Sequence, residues 1–150
     1  MPDTYTKLRY HIVFGTKYRA PLITPDVRDA LYGCMAGILT RRRGTLLAIG
    51  GMPEHVHLLV GLRATHSLAD IMQKLKANSS RWMNEREPRT DPFAWQVGYG
   101  AFSVSESRLT AVRNYIARQE AHHRKVPLDD ELQELLRKHG FKPDPTFLAG

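Results

Sequence analysis

Two histidines separated by one residue are the first group in this sequence whose types and spacing suggest chemistry. They are His55 and His57, with Val56 between them. Alternate side chains of a β-strand project from the same face of the sheet, so the two imidazoles would lie side by side and Val56 would point the opposite way. Neutral imidazole nitrogens are common ligands of divalent cations. The pair therefore predicts a metal site on one face of a strand; the alternative is a pair of partly exposed sheet histidines with no ligand.

A phenol and an amide form the second group. Tyr115 and Gln119 are four residues apart, which places them on one face of a helix, beside an apolar stripe that ends at Ile116. A tyrosine hydroxyl is a weak nucleophile at neutral pH because its ordinary pKa is about 10. It becomes effective against a phosphodiester when a metal ion polarises the phosphoryl oxygens. The alternative is an ordinary half-buried tyrosine beside a solvated glutamine.

Two imidazoles and one amide oxygen would supply three uncharged ligands and leave coordination positions open for a phosphate. Because none of the three is charged, we expect the protein alone to bind metal only modestly, and more tightly once nucleic acid adds its own oxygens. Glu54 is expected to face away from the histidine pair, and His11 to be a packed or edge histidine of the first strand. His122 and His123 follow Gln119 by about one turn, and their assistance at the metal is left open.

The charge of the chain indicates a polyanionic partner. Lys and Arg number 22 against 15 Asp and Glu, a formal net charge of +7, which suits nucleic acid or an acidic membrane surface. Lys74, Lys76 and Arg81, with Trp82 beside them, could hold phosphates and stack a base. The alternative is a solvated helix face with Trp82 in the core. The three arginines at 41–43 could contact a DNA hairpin; the alternative, which we favour, is that cations are stabilised at a helix C-terminus.

Other classes of protein are excluded by composition. A single cysteine, Cys34, allows neither an internal disulfide framework nor a multi-thiolate zinc site. No apolar run approaches the ~20 residues that cross a bilayer, and the N-terminus lacks the features of a secretory signal. The 150 residues are the size of one ordinary domain. We therefore expect a single cytoplasmic domain over residues 1–150, without membrane attachment.

Hydrophobic periodicity and turn residues predict the elements that must position these side chains. Their order is strand, helix, strand, strand, helix, strand, helix, which is typical of an α+β, ferredoxin-like antiparallel sheet with helices on one face. The tyrosine-bearing helix falls near the C-terminal third. The predicted strands are 8–14, 45–49, 56–62 and an extended segment 95–104, and the predicted helices are 25–43, one after Ser67, one from 105 through Gln119, and 129–138.

Three ordered segments resemble the HUH single-tyrosine transposases of insertion sequences. The segment GMPEHVHLL at 51–59 resembles their His-hydrophobic-His motif. GYGAFSVS at 98–105, followed by VRNYI at 112–116, resembles the approach to their catalytic helix, and YHIVFGTK at 10–17 resembles their first strand. The resemblance spans residues 10–139.

This resemblance implies a role for each matching position. Tyr115 would attack single-stranded DNA and form a 5′-phosphotyrosine link, while His55, His57 and Gln119 would hold Mg²⁺ or Mn²⁺. The DNA would be the hairpin-containing ends of a mobile element, and the bond would be exchanged without ATP. Family members work as homodimers, in several of which the active sites are shared between subunits.

Three other functions are left open by the residues. The first is a domesticated relative that acts on repeated extragenic palindromes rather than on its own insertion sequence. The second is a non-catalytic module that binds single-stranded nucleic acid. The third is a metal-dependent hydrolase of a small phosphoester.

Overall fold

The computed structural model describes residues 4–148, so residues 1–3 and 149–150 of the predicted domain lie outside the described part of the chain. The described residues form four strands and five α-helices, together with short 3-10 turns at Lys17–Arg19 and Glu106–Arg108. In chain order the elements are β1 Leu8–Gly15, α1 Pro25–Arg41, β2 Thr45–Met52, β3 His55–Leu62, α2 Leu68–Arg86, β4 Gly100–Ser103, α3 Leu109–Ala117, α4 Gln119–His123 and α5 Leu128–Lys138.

The strands form one antiparallel sheet in the order β2-β3-β1-β4. Helix α1 connects β1 to β2, helix α2 connects β3 to β4, and β2 and β3 form a hairpin. This is the α+β, ferredoxin-like arrangement that the sequence predicts, so that prediction is confirmed. The β2–β3 hairpin is tighter than predicted: β2 runs on through Gly50 and Gly51 to Met52, which pairs with His55. The turn is therefore reduced to residues 53–54, and both glycines lie within the sheet.

The predicted placement of every helix on one face of the sheet is wrong. Helices α1 and α2 cover one face, where they bury Ile12, Phe14, Val56, Leu58 and Val60 in the main core. The other face carries the alternate residues of the same strands and is covered by α3 and α5, in two smaller clusters. Strands that are buried on both faces lose the alternation of polar and apolar residues. The run 56–60 of β3 is almost wholly apolar for this reason.

A break divides the predicted tyrosine-bearing helix. Arg118, with φ −106° and ψ 22°, ends α3, and Gln119 begins the separate five-residue helix α4. The last helix starts one residue before its predicted position and is followed by Gly140, whose φ of +81° is the left-handed conformation that glycine adopts at little cost. No helix within residues 4–148 has the length and hydropathy needed to cross a bilayer.

A polar site between the sheet and the C-terminal helices

Strand β3 places its two histidines on the face of the sheet opposite the main core. His55 and His57 are completely buried, and their ring centroids lie 5.1 Å apart. Val56 and Leu58 point into the main core, as the alternation predicts. The histidines are therefore not exposed residues of an open sheet. They lie beneath a cover that the C-terminal helices form.

A glycine opposite His57 brings the tyrosine helix close to the sheet. Gly50 is the cross-strand partner of His57, and cross-strand partners project from the same face. An added Cβ at Gly50 would stand 2.2 Å from the carbonyl oxygen of Ile116, so the backbone of α3 fills the space that a side chain would take. Tyr115, next to Ile116, consequently lies with its ring centroid 5.7 Å from that of His57.

A buried carboxylate that the sequence prediction missed lies at the centre of the site. Glu131 of α5 is only 3% exposed. Its Oε1 lies 2.9 Å from His57 Nε2, 3.1 Å from His123 Nε2 and 3.6 Å from His55 Nε2. Ligand atoms of these four residues all lie within 4.8 Å of one another. Three imidazoles and one carboxylate form a suitable donor set for a divalent cation, so the residues fit the metal that the sequence predicts.

The second oxygen of Glu131 faces the tyrosine. Glu131 Oε2 accepts hydrogen bonds from the Tyr115 hydroxyl and, at 3.2 Å, from Gln119 Nε2. His122 Nε2 is 3.0 Å from the same oxygen but out of line for a hydrogen bond. One carboxylate thus joins the histidine pair to the predicted nucleophile within a single chain.

Gln119 reaches the histidines from α4. Its side chain is buried, and its Oε1 lies 3.3 Å from His55 Nε2 and 3.0 Å from His123 Nε2. Although the helix breaks between Tyr115 and Gln119, both side chains therefore meet the histidine pair. Of the two residues whose role the sequence left open, His123 shares this centre, whereas His122 lies at its edge beside Tyr115.

The outer nitrogens of the site histidines are held by further groups. His55 Nδ1 lies 3.1 Å from Glu54 Oε1, so the expectation that Glu54 faces away from the histidine pair is wrong. The turn at 53–54 is so short that the Glu54 side chain folds back onto its neighbour. His57 Nδ1 is 2.8 Å from His11 Nε2. His11 is a packed histidine of the first strand, as expected, and its packing partner is the site itself.

Burial and charge shift the pKa values of these groups in different directions. Burial tends to lower the pKa of His55, but the Glu131 and Glu54 carboxylates outweigh it and raise that pKa to about 8. For His57 burial prevails and lowers the pKa to about 4. Burial, followed by the bond to Glu131, raises the pKa of the Tyr115 hydroxyl well above its usual range. The hydroxyl therefore remains protonated in this arrangement.

Beside Tyr115 a cleft of about 620 Å³ opens on the side away from the histidine pair. Its lining includes Tyr115, His11 and Glu131, and both basic and acidic side chains: Arg108, Lys138, Asp130 and Glu134. The cleft therefore carries side chains of both charges, and Arg108 and Lys138 are the groups in it that could pair with a phosphate.

The residues that were predicted to contact DNA lie on α2, on the opposite side of the sheet. Lys76 donates to the carbonyl oxygens of Gln96 at 2.6 Å and Gly98 at 2.7 Å, so its ammonium group is used within the fold. Trp82 is half-buried against the main core, and the Arg86 guanidinium lies 5.2 Å from its ring centroid.

Lys74 and Arg81 of the same helix are exposed, and the Arg81 guanidinium donates to the side chain of Asn78. None of the four α2 residues lies beside Tyr115. Their contact with DNA stays a prediction.

Comparison with known proteins gives one consistent result. Residues 4–119 match the family model described as Transposase IS200 like. The ISDra2 transposase TnpA of Deinococcus radiodurans is 27% identical over 118 residues, which cover 75% of this chain and 84% of that protein.

Solved structures agree with this result. A crystal structure described as a transposase from Deinococcus radiodurans R1 is 31% identical, with a TM-score of 0.66, and the match covers 79% of this chain and 95% of that one. A REP-associated tyrosine transposase bound to a REP hairpin is 14% identical, with a TM-score of 0.62, and the match covers 84% of this chain and 74% of that one. At 14% identity, the similarity to this second structure shows a shared fold only.

Proposed function

The chain belongs to the IS200-like transposase family, and from that premise we propose that it cleaves and rejoins single-stranded DNA by metal-assisted transesterification through Tyr115. One observation carries the proposal. The Tyr115 hydroxyl donates to the same buried carboxylate, Glu131, whose other oxygen borders His55 and His57. A nucleophile and a set of cation ligands thus meet in one enclosed site, next to an open cleft that Tyr115 also lines.

In the proposed step the Tyr115 oxygen forms a bond to phosphorus as the bond from phosphorus to the 3′-oxygen breaks. The phenolic proton leaves toward Glu131 Oε2, which already accepts its hydrogen bond, and the leaving oxygen takes up a proton and becomes a 3′-hydroxyl. The product is a 5′-phosphotyrosine. A second 3′-hydroxyl can then attack this phosphotyrosine, release Tyr115 and rejoin the DNA without an external energy source.

His55, His57 and Gln119 are proposed to hold Mg²⁺ or Mn²⁺, which when bound would polarise the phosphoryl oxygens and offset the charge that develops on them. The buried surroundings of the histidines support this role. Glu54 and His11 fix the ring orientations of the pair through the outer nitrogens, as the second layer around metal-ligating histidines commonly does.

The proposed partner is single-stranded DNA with hairpin-containing ends, bound by a homodimer in the cytoplasm. The net charge of +7 supports a polyanion. The fold neighbour bound to a REP hairpin supports testing hairpins first, both from insertion-sequence ends and from repeated extragenic palindromes. Preference for the second kind of hairpin would favour a domesticated relative.

The test is covalent capture. The protein is incubated with a library of single-stranded hairpin DNAs and Mn²⁺, and adducts that survive denaturation are isolated. Tyr115→Phe is expected to retain DNA binding and lose the adduct, whereas Tyr5→Phe, at a tyrosine that is 90% exposed, serves as the matched control and should retain both. His55→Ala and His57→Ala should lose the metal-dependent adduct and remain folded.

Two results would contradict the proposal. Binding of hairpins with no adduct from the unaltered protein would indicate a non-catalytic binding module. Release of free 5′-phosphate without a protein-linked intermediate would indicate a hydrolase.

A further inference from the structure

The part of the chain after the family match completes the polar site. The match ends at residue 119, but the C-terminal segment, residues 120–138, supplies His123 and Glu131 to the group of ligand atoms that lie within 4.8 Å of one another. Glu131 is held in place by its neighbours on α5, because Leu132 and Leu135 are buried in the cluster beneath that helix. The segment is therefore packed onto the sheet at the site.

His123 has a hydrogen-bond arrangement that a cation would satisfy. Its Nδ1 lies 2.9 Å from the Val126 carbonyl oxygen, which can only accept, so Nδ1 carries the proton. Its inward Nε2 lies 3.0 Å from Gln119 Oε1 and 3.1 Å from Glu131 Oε1. A cation among these atoms would be coordinated by Nε2 together with the two oxygens.

His55 repeats this arrangement. Its outer Nδ1 faces the Glu54 carboxylate, while its inward Nε2 lies 3.3 Å from Gln119 Oε1 and 3.6 Å from Glu131 Oε1. Two imidazoles whose outer nitrogens are fixed by acceptors, and whose inner nitrogens converge with a carboxylate and an amide oxygen, form the usual layout of a metal centre.

We propose that His123 and Glu131 are metal ligands, supplied by the C-terminal segment in addition to His55, His57 and Gln119. This inference rests on the proposed function for the metal at this site. It also changes the expected affinity: the ligands predicted from sequence are uncharged, whereas Glu131 adds a negative charge among buried imidazoles. The protein should therefore bind Mn²⁺ appreciably in the absence of DNA.

The first experiment measures Mn²⁺ binding by calorimetry on the full chain without DNA. Glu131→Gln, which keeps the shape and removes the charge, is expected to weaken Mn²⁺ binding by about tenfold or more. His123→Ala should weaken it in the same direction. Glu120→Gln removes the same charge at an exposed position one residue after Gln119 and should leave binding unchanged. Far-ultraviolet circular dichroism and thermal unfolding check that each variant is folded.

A second variant tests the position if Glu131→Gln does not fold. His123→Ala leaves the Glu131 carboxylate in place and removes the other ligand that this segment supplies. Unaltered Mn²⁺ affinity in folded His123→Ala protein would overturn the inference.

The results also separate the inference from the proposed function. If His55→Ala loses Mn²⁺ and Glu131→Gln keeps unaltered affinity, Glu131 is not a ligand, while the tyrosine mechanism stands. If the unaltered protein binds no metal and forms no adduct on Tyr115, both fail.

Discussion

Replacing Gly50 with alanine is expected to slow adduct formation as well as to destabilise the protein, because this glycine sets the distance between the tyrosine helix and the sheet. Its position opposite His57 lets the Ile116 carbonyl of α3 approach the strand. The new Cβ would lie 2.2 Å from that carbonyl oxygen, whereas real Cβ atoms stay beyond about 3.0 Å. The contact is with backbone, so no side-chain rotation can relieve it.

The size of the effect follows from this distance. Helix α3 must move away by roughly 0.8 Å or more, in a packed interior that compresses little. Overpacking of this kind destabilises a protein by about 1–3 kcal/mol. Because Tyr115 neighbours Ile116, its hydroxyl moves with the helix, and a displacement of about 1 Å from a productive position can reduce a rate by about a hundredfold.

The assay compares Gly50→Ala with Gly61→Ala. Gly61 of β3 projects from the same face of the sheet as His57 and its partner Gly50, but a Cβ there would meet nothing nearer than Thr45 at 3.8 Å, an ordinary contact. Urea unfolding measures the free energy of unfolding of each variant. The rate of covalent adduct formation is measured under conditions in which every variant is folded. Gly61→Ala should be close to unaltered protein in both. Equal adduct rates for the two variants would refute the idea that Gly50 positions the tyrosine.

Two further predictions concern DNA contact and the assembly of the site. Lys76→Met is expected to lower the free energy of unfolding by about 1–3 kcal/mol, because its ammonium group donates to two backbone carbonyls, and to leave single-stranded DNA affinity in filter binding unchanged. Lys74→Met, at an exposed position, should leave the free energy of unfolding unchanged and weaken binding of single-stranded DNA. A loss of DNA affinity from Lys76→Met alone would contradict this assignment. A mixture of Tyr115→Phe and His57→Ala proteins, after verified subunit exchange, should form no adduct, because Tyr115 lies against the histidine pair of its own chain. Recovered adduct would instead place the tyrosine helix in the partner's site.

The sequence predicted those features of the site that depend on local periodicity. The alternation of His55, Val56 and His57 places both imidazoles on one face, and this depends only on the geometry of a strand. Tyr115 and Gln119 lie near each other because four residues make about one helical turn, and the proximity survives the break at Arg118. The strand order followed from the order of elements, since ferredoxin-like crossovers allow few arrangements.

Features that depend on contacts between distant segments were missed. Glu131 lies in the first turn of α5, where an acidic residue already has a reason to be, because it complements the helix dipole. Nothing in its local pattern indicates that the side chain points inward. His11 and His57 are 46 residues apart and meet only through the pairing of β1 with β3. The continuous apolar runs of β1 and β3 were the available signal that a second layer of helices covers the sheet.

One face of the sheet carries the main hydrophobic core and the other carries the polar site. Substitutions at the histidine pair should therefore leave the protein folded. Val56 and Leu58 contribute to the large core with α1 and α2, while His55 and His57 contribute to a polar layer under α3, α4 and α5. Loss of one imidazole leaves that large core complete. It does remove a partner of the buried Glu131 carboxylate, so we expect α5 to pack less firmly on the sheet. In the unaltered protein a bound cation should stabilise the packing of α5.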